Sequence, residues 1–271
     1  MEKILIQPKK SIKLNIKELW DYRELLYFAV WRNIKVRYKQ TAIGVSWAML
    51  QPLILMLIFS IVFGRFAKLP SEGIPYPIFT LTAILPWNLF ANTFSKAGTS
   101  LVLNRQLITK VYFPRIIIPL ATVAEGVIDF CIACIILFLT LFFYGIMPKM
   151  SMLIFPFFAM LTIILSFGVG LWLSALNVKY RDIKFIIPFL VQIWLYSSPV
   201  AYTLSLVPKK WYFIYALNPM VGIIEGFRRA FLGKGINLST VLPTSITVIV
   251  IIFISGLVYF RKVEKNFADI I

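Results

Sequence analysis

The chain has 271 residues, of which 60% are apolar or aromatic, and its mean hydropathy is +0.85. A soluble domain of this size would leave much of that surface facing water, so the composition excludes an ordinary soluble protein and favours lipid as the solvent. The net charge of +17 does not indicate nucleic-acid binding, because the basic residues lie in short segments between apolar runs and not on one polar domain.

Residues 1–40 are predicted to form a cytoplasmic N-terminal segment, which carries ten of the 28 Lys and Arg. Apolar and aromatic positions recur at intervals of three, four or seven from Ile16 to Tyr38, which is typical of one face of an amphipathic helix. Because the other face is cationic, we expect the helix to lie along the cytoplasmic membrane surface, packed on the protein as well.

Residues 41–271 are predicted to form an all-α transmembrane domain with six spans. Apolar runs long enough to cross a hydrocarbon layer of ~30 Å define the spans. With both termini in the cytoplasm, twenty Lys and Arg fall on the inner side and eight on the outer side, as the positive-inside rule requires. The predicted spans are about 43–65, 77–95, 116–144, 152–176, 184–203 and 239–260.

The segment 204–238 is too apolar for an ordinary loop. Within it, Asn218 followed by Pro219 indicates a helix start, since Asn caps helices and Pro suits the first helical position. Glu225 lies three and four residues before Arg228 and Arg229, a spacing that pairs charges on one helix face. We predict two short re-entrant helices here; an interrupted seventh span is the alternative.

Two acids interrupt the third span. Glu125 and Asp129 are four residues apart and therefore share one helix face. Each costs about 2.5–3.5 kcal/mol in mid-membrane, and the many aliphatic residues around them offset that cost, so both acids should face protein or water. They could line a conduit, contact a basic residue at a hinge, or form a structural contact between helices.

Aromatic residues lie beside polar ones in the second and fifth spans. A sugar ring offers C–H faces that stack on aromatic rings and hydroxyls that bond to amides, so this mixture is typical of a sugar-binding surface. With Glu125 and Asp129, the predicted conduit lining comprises Trp87, Phe90, Trp194 and Tyr196.

The sequence carries no motif for catalysis or nucleotide binding. It has no histidine and no GxxxxGK[ST], HExxH or GxSxG pattern, so we expect no cofactor in this chain and no enzyme activity of its own. Cys131 and Cys134 fall inside an apolar run and are interpreted as helix-filling residues. Active transport would then draw its energy from a partner or from an ion gradient.

The loop between the second and third spans is basic and partly apolar, and it stops at Pro114. A short helix there would present a docking surface for another protein; a simple tether is the alternative. The residues concerned are Asn104, Arg105, Leu107 and Lys110.

Four stretches carry a resemblance to a known family: 37–53, 107–115, 177–183 and 217–219. They resemble the membrane subunit of type-2 ABC exporters that move cell-surface polysaccharides, in the O-antigen, capsule and teichoic-acid branch. The resemblance covers nearly the whole chain. It implies a bacterial inner-membrane homodimer that binds two copies of a separate ATPase, which holds the ATP and Mg²⁺. The implied substrate is a lipid-linked polysaccharide, usually on an undecaprenyl carrier.

The resemblance also implies roles for particular segments. It implies an N-terminal interface helix at about 17–38, a coupling helix at about 99–110 and two gate helices within 206–232. Arg181 and Asp182 in the second cytoplasmic loop would join the first loop in coupling to the ATPase. The lipid head group would dock at the basic belt of the interface helix, which consists of Arg32, Lys35, Arg37 and Lys39.

Three other functions stay open on the sequence alone. One is a type-2 ABC exporter of a drug or another lipid, with the same architecture. Another is an ion-coupled carrier that uses Glu125 and Asp129. The third is a membrane enzyme acting on lipid-linked sugars, although two carboxylates one turn apart on one helix leave little room for a substrate between them.

Overall fold

The computed structural model describes residues 16–39, 46–147, 149–233, 238–265 and 267. Within these ranges the regular structure is helical, as the sequence predicts. Three parts of the predictions lie outside the described residues: positions 1–15 and 40 of the N-terminal segment, positions 43–45 at the start of the first span, and positions 234–237 of the segment 204–238.

The helices follow one another with short connections. A π-helical turn at Ser60–Phe66 extends α3, and a 3₁₀ turn at Met150–Ile154 leads into α7. The α-helices are α1 (Ile16–Asp21), α2 (Arg23–Lys39), α3 (Ser46–Phe59), α4 (Tyr76–Leu103), α5 (Arg105–Lys110), α6 (Ile117–Phe143), α7 (Phe155–Lys179), α8 (Ile183–Tyr196), α9 (Tyr212–Ala216), α10 (Pro219–Leu232) and α11 (Leu238–Glu264).

Four helical stretches among the described residues are long and apolar enough to cross a bilayer. They correspond to the first, third, fourth and sixth predicted spans. With 28 residues, or about 42 Å, α4 is long enough but less apolar, and α8 has only 14 residues, or about 21 Å. The four stretches are Ser46–Phe66, Ile117–Phe143, Met150–Lys179 and Val241–Glu264.

The central helix of the bundle is α4, which packs against α3, α6, α7, α8 and α10. Several of its polar residues are satisfied within the helix itself: Thr82 and Ser100, for example, donate hydrogen bonds to carbonyls of their own helix. A helix surrounded by protein does not need a lipid-soluble surface. Burial therefore explains why α4 is less apolar than the helices around it.

The helices α7 and α11 approach each other very closely. A Cβ added at Gly256 would lie 2.5 Å from the carbonyl oxygen of Gly168, so only glycine fits there. One turn further along, Trp172 and Tyr259 stack with their ring centroids 4.3 Å apart, and the Trp172 indole donates to Ser255 at 3.1 Å. The two helices run in the same direction, backbone against backbone.

At one end of the bundle an apolar cluster, which we call the α5 cluster, joins seven helices. It brings α1, α2 and α5 against the start of α6 and the C-terminal parts of α4, α7 and α11. The predicted interface helix is interrupted at Tyr22, where α1 ends and α2 begins. Residues of the cluster include Leu101, Ile108, Phe113, Ile117, Val178 and Phe260, with Leu19, Tyr22, Leu25 and Leu26 packed against them.

Some predicted boundaries differ from the structure. The predicted coupling helix 99–110 is divided at Asn104, because α4 continues to Leu103 with its last turns buried against α7. The predicted fifth span 184–203 is helical only to Tyr196; Pro199 disfavours helical backbone in the residue before it, and residues 197–202 form turns and bends.

Candidate functional site

A cluster of charged side chains lies between α2, α4 and α6. Glu125 and Asp129 project from α6, Lys96 from α4 and Arg37 from α2. We call these four residues the charge cluster. The one-turn spacing of the two acids directs both carboxylates toward the same neighbouring helices, as the sequence predicts.

Each carboxylate of the charge cluster is shared by two cations. Glu125 accepts from Arg37, with Nη1 and Oε1 3.1 Å apart, and also from Lys96. Asp129 pairs with Arg37 and lies 3.9 Å from the Lys96 ammonium. Tyr38 donates its hydroxyl to Asp129. This sharing keeps both acids neutralised at a depth where isolated charge is costly.

Burial within the charge cluster is graded. The side chains of Glu125 and Asp129 are 9% and 15% exposed, whereas those of Arg37 and Lys96 are 25% and 35% exposed. The acids therefore form the inner layer and the cations the outer layer. A molecule approaching from outside the protein would meet the cations first.

The cations face a cavity of about 490 Å³, which we call the basic cavity. It extends from the charge cluster along α2 to the break between α4 and α5. A narrower cleft of about 30 Å³ adjoins Arg37 and Asp129 on the other side and is lined by polar Gln51, Asn88 and Asn92. The basic cavity is lined by Arg32, Asn33, Val36, Arg37, Lys96, Thr99, Ser100, Leu103, Asn104, Thr122 and Glu125.

The basic belt predicted on the interface helix is split by the structure. Arg32 and Arg37 line the basic cavity, and Arg32 donates to the Asn104 side chain at 2.7 Å. Lys35 lies over the ring of Trp31, 5.2 Å from its centroid, and Lys39 is exposed; neither lines the cavity. The outward side of α2 is aromatic, with Tyr27, Phe28 and Trp31 all exposed, and Trp20 on α1 is exposed as well.

The residues predicted to couple to an ATPase mostly lie at the surface. Arg105 and Lys110 on α5 are exposed, as are Arg181 and Asp182 before α8. Leu107 is half-buried and packs into the α5 cluster, which links α5 mechanically to α2. Two neighbouring apolar residues, Leu103 and Tyr112, are also exposed and were not among the predicted coupling residues; their apolar character beside a basic loop was the available sequence signal.

The aromatic residues predicted to line a conduit do not share one environment. Phe90 is fully buried and Trp87 nearly so, with Phe90 in edge contact with the Trp194 ring at 4.7 Å. The Trp194 indole donates to Asn218 at 2.8 Å, and only Tyr196 is largely exposed. In the single chain the rings of Trp87, Phe90 and Trp194 pack in the core. This packing does not support the prediction that they line a conduit.

A second Arg–carboxylate pair lies in α10. Glu225 accepts from Arg228 at 2.8 Å, and both side chains are buried, which confirms the predicted three-residue pairing. Arg228 also donates to the carbonyls of Val200 and Tyr202, at 3.1 and 3.2 Å, and covers the ring of Phe79. This arrangement ties α10 to the turn after α8 and to the start of α4.

The long apolar helices and the buried ion pairs define a multi-pass helical membrane protein. Residues 24–232 match the family described as ABC-2 type transporter, and the chain belongs to that family. The resemblance found in the sequence motifs is thereby confirmed.

Relatives of known role match almost the whole chain. An O-antigen export system permease protein RfbA of Klebsiella pneumoniae is 29% identical over 96% of this chain and 99% of its own length. The RfbA of Myxococcus xanthus is 28% identical over 80% of this chain and 83% of its own. The polysialic acid transport protein KpsM of Escherichia coli is 24% identical, covering 86% and 91% respectively.

Proposed function

We propose that this chain is the permease subunit of an ATP-driven type-2 ABC exporter that moves lipid-linked polysaccharide across the bacterial inner membrane. The observation that carries the proposal is the match to permeases named for O-antigen export, over 96% of this chain for one relative and 80% for another. The family membership and the four long apolar helices agree with it.

The proposed permease has six spans, with α4 and α8 as the second and fifth. The Asn177 amide donates to the Gly98 carbonyl at 3.0 Å, so the C-terminal ends of α7 and α4 lie together and the two helices run in parallel. Parallel second and fourth spans are what an alternating chain requires. Burial of α4 and the shortness of α8 explain why hydropathy alone does not mark them.

Two contacts support the re-entrant nature of α9 and α10. Tyr76, at the start of α4, donates to the Ala201 carbonyl, and Ser151, after α6, donates to the Ala230 carbonyl at 2.9 Å. Both ends of segment 201–230 thus lie at one end of the bundle. Between them Asn218 reaches deeper, to Trp194, which packs on Phe94. The chain enters and returns on the same side, which favours gate helices over a seventh span.

Both termini are proposed to be cytoplasmic. The α5 cluster gathers the N-terminal helices, α5 and the C-terminal part of α11 at one end of the bundle. At the same end, the Arg115 amide donates to Glu264 at 3.0 Å. The excess of Lys and Arg in these segments agrees with an inner-side position.

The permease is proposed to work as a homodimer with two copies of a separate ATPase, which binds ATP and Mg²⁺. Closure of the ATPases would push on the break at Asn104 and on α5, where Arg105 and Lys110 are exposed. Because α5 shares an apolar cluster with α2, a push on one helix would be felt by the other. The conduit would then open between the two permeases.

The described contacts do not favour the ion-coupled carrier or the membrane enzyme. Both functions need a carboxylate that exchanges protons or cations. In the charge cluster Glu125 and Asp129 are each paired with Arg37 and Lys96. An exporter of a drug or of another lipid would have the same architecture. An assay of polysaccharide export distinguishes that alternative from the proposed function.

Arg105→Glu is predicted to uncouple ATP hydrolysis from export. Reversing an exposed charge at a docking surface opposes the partner without disturbing the fold. The chain and its ATPase are reconstituted together, and polysaccharide transport and ATP hydrolysis are measured side by side. We expect at least about a tenfold loss of transport per ATP hydrolysed, with the melting temperature unchanged.

The matched control is Lys17→Glu, which reverses an exposed cation on α1. It should transport normally. Full coupling in Arg105→Glu would place the ATPase contact elsewhere. Leu107→Asp is a poorer test, because Leu107 packs into the α5 cluster and its substitution disturbs the fold. Transport by the chain without any ATPase would overturn the proposed function.

A further inference from the structure

We propose that Glu125 and Asp129 act as built-in competitors that make the basic cavity accept a lipid diphosphate head group and reject single phosphates. The inference rests on the proposed function, in which the cargo is carried on a lipid. It assigns to the two acids a role in selecting the head group and not in lining the sugar conduit.

The basic cavity recognises its ligand by charge. Its walls carry the cations Arg32, Arg37 and Lys96. The neighbouring hydroxyl groups already donate to carbonyls of their own helices, as Ser100 does to Ala97 at 2.7 Å and Thr122 to Pro119 at 2.7 Å. Few neutral donors are thus left for a ligand, and an anion with strong acceptor oxygens is the chemistry that fits.

The two acids lower the charge that the cavity presents. The three cations, Glu125 in the cavity wall and Asp129 paired with Arg37 together leave a net charge of +1. An incoming anion competes with these carboxylates for Arg37 and Lys96. A phosphodiester or monophosphate gains little from such a site, whereas a diphosphate, with more charge and more acceptor oxygens, can still bind.

The membrane itself makes this competition useful. Anionic phospholipids crowd the cytoplasmic leaflet and would occupy any strongly basic pocket near it. The exposed aromatic side of α2, with Tyr27 and Trp31, is suited to the lipid–water interface, so the basic cavity opens close to those head groups. A cavity of net charge +3 would bind the abundant lipids, and the acids prevent that.

Arg32 has a different environment from the other two cations of the basic cavity. Among the described residues Arg32 forms no ion pair; it contacts the amides of Asn33 and Asn104. It lies at the end of the basic cavity next to the break between α4 and α5. With Arg37 it gives the cavity two guanidinium groups, one for each charged group of a diphosphate, whereas a single phosphate has only one such group.

The test measures equilibrium binding to the complex of the chain with its ATPase in nanodiscs of phosphatidylcholine. The probes are farnesyl diphosphate, farnesyl monophosphate and inorganic diphosphate. The wild-type complex should bind farnesyl diphosphate about tenfold more tightly than the monophosphate. Glu125→Gln should bind both more tightly and lose most of the preference, whereas Arg37→Gln should bind both more weakly.

Two further variants keep the test decisive. Asp129→Asn removes the more exposed acid and should act in the same direction as Glu125→Gln, which covers the case in which the latter does not fold. Glu24→Gln, which removes an exposed acid of α2 outside the basic cavity, is the matched control and should leave affinity and preference unchanged.

The outcomes separate this inference from the proposed function. Unchanged or weaker binding by both acid variants would mean that the acids only hold α6 to α2, and the inference would fail. Equal affinity for farnesyl diphosphate and inorganic diphosphate would indicate a free-anion site and also overturn it. In either case, polysaccharide export by the wild-type complex would leave the proposed function standing, and its absence would remove both.

Discussion

Two of the sites at which an arginine pairs with a carboxylate, the pair on α10 and the charge cluster, lie in very different surroundings. Glu225 and Arg228 on α10 are both buried, and Arg228 is further held by two backbone carbonyls and the face of Phe79. In the charge cluster Arg37 is partly exposed, shares its carboxylates with Lys96 and faces a cavity of about 490 Å³.

The difference shows how the surroundings of an ion pair decide its use. A buried pair whose partners are fixed on several sides is costly to break, because either partner alone would be an uncompensated charge. In an ion pair at the wall of a cavity, the arginine can exchange its carboxylate partner for an anionic ligand. The α10 pair therefore suits a structural role, and the charge cluster suits binding.

Arg228→Met should have the largest effect on stability. It leaves Glu225 buried without its cation and frees the carbonyls of Val200 and Tyr202. The expected loss is about 3–5 kcal/mol of unfolding free energy. Thermal unfolding in detergent, followed by tryptophan fluorescence, measures it.

The neighbouring Arg229 provides the control for that measurement. It lies on the same helix but is exposed, so Arg229→Met should change the unfolding free energy by less than about 1 kcal/mol. If both substitutions changed the unfolding free energy equally, the buried ion pair of α10 would not have the structural role proposed for it.

Arg37→Met should destabilise the protein less than Arg228→Met does. Lys96 stays to balance Glu125, and the side chain is partly exposed, so we expect a loss of about 1–2 kcal/mol. Export should fall strongly all the same. The pair of readouts, unfolding and transport, tests whether this site serves binding more than folding.

The control for Arg37→Met is Lys17→Met, which removes an exposed cation from the same N-terminal region. Its unfolding free energy should match that of the wild type. A destabilisation by Arg37→Met as large as that by Arg228→Met would mean that both pairs are structural.

Asn218→Ala should have the smallest effect of the three. Asn218 caps α10 by accepting from the Met220 amide at 3.1 Å, and it also joins Trp194 to Ser198. Losing a helix cap costs about 1 kcal/mol, and the ion pair of α10 remains in place. A loss above about 3 kcal/mol would show that the cap, and not Arg228, is what fixes this helix. Asn218→Ser, which keeps a capping oxygen without placing a negative charge beside the Ser197 carbonyl, should retain more of the stability and serves as the control.

The sequence predicts those parts of the fold that depend on local pattern. The apolar runs give four spans, the one-turn spacing of Glu125 and Asp129 gives their common face, and Asn218-Pro219 gives the start of α10. These features depend on periodicity and capping, which neighbouring residues determine.

Features that depend on distant residues could not be predicted in this way. Arg37 and Lys96 meet the acids across 88 and 29 positions, so sequence spacing carries no signal of the pairing. The surroundings of α4 also depend on distant residues: other helices bury it, so its own hydropathy does not mark it as a span. For the same reason Phe90, which looks like a conduit residue in sequence, belongs to the core.

The glycine contact between α7 and α11 restricts how this protein can move. Two backbones in direct touch cannot tilt or slide past each other without separating, and the stacked rings of Trp172 and Tyr259 hold them one turn further along. We therefore expect α7 and α11 to move together as one rigid unit during transport. The widening needed to pass a polymer must then come from movement of other helices relative to this pair.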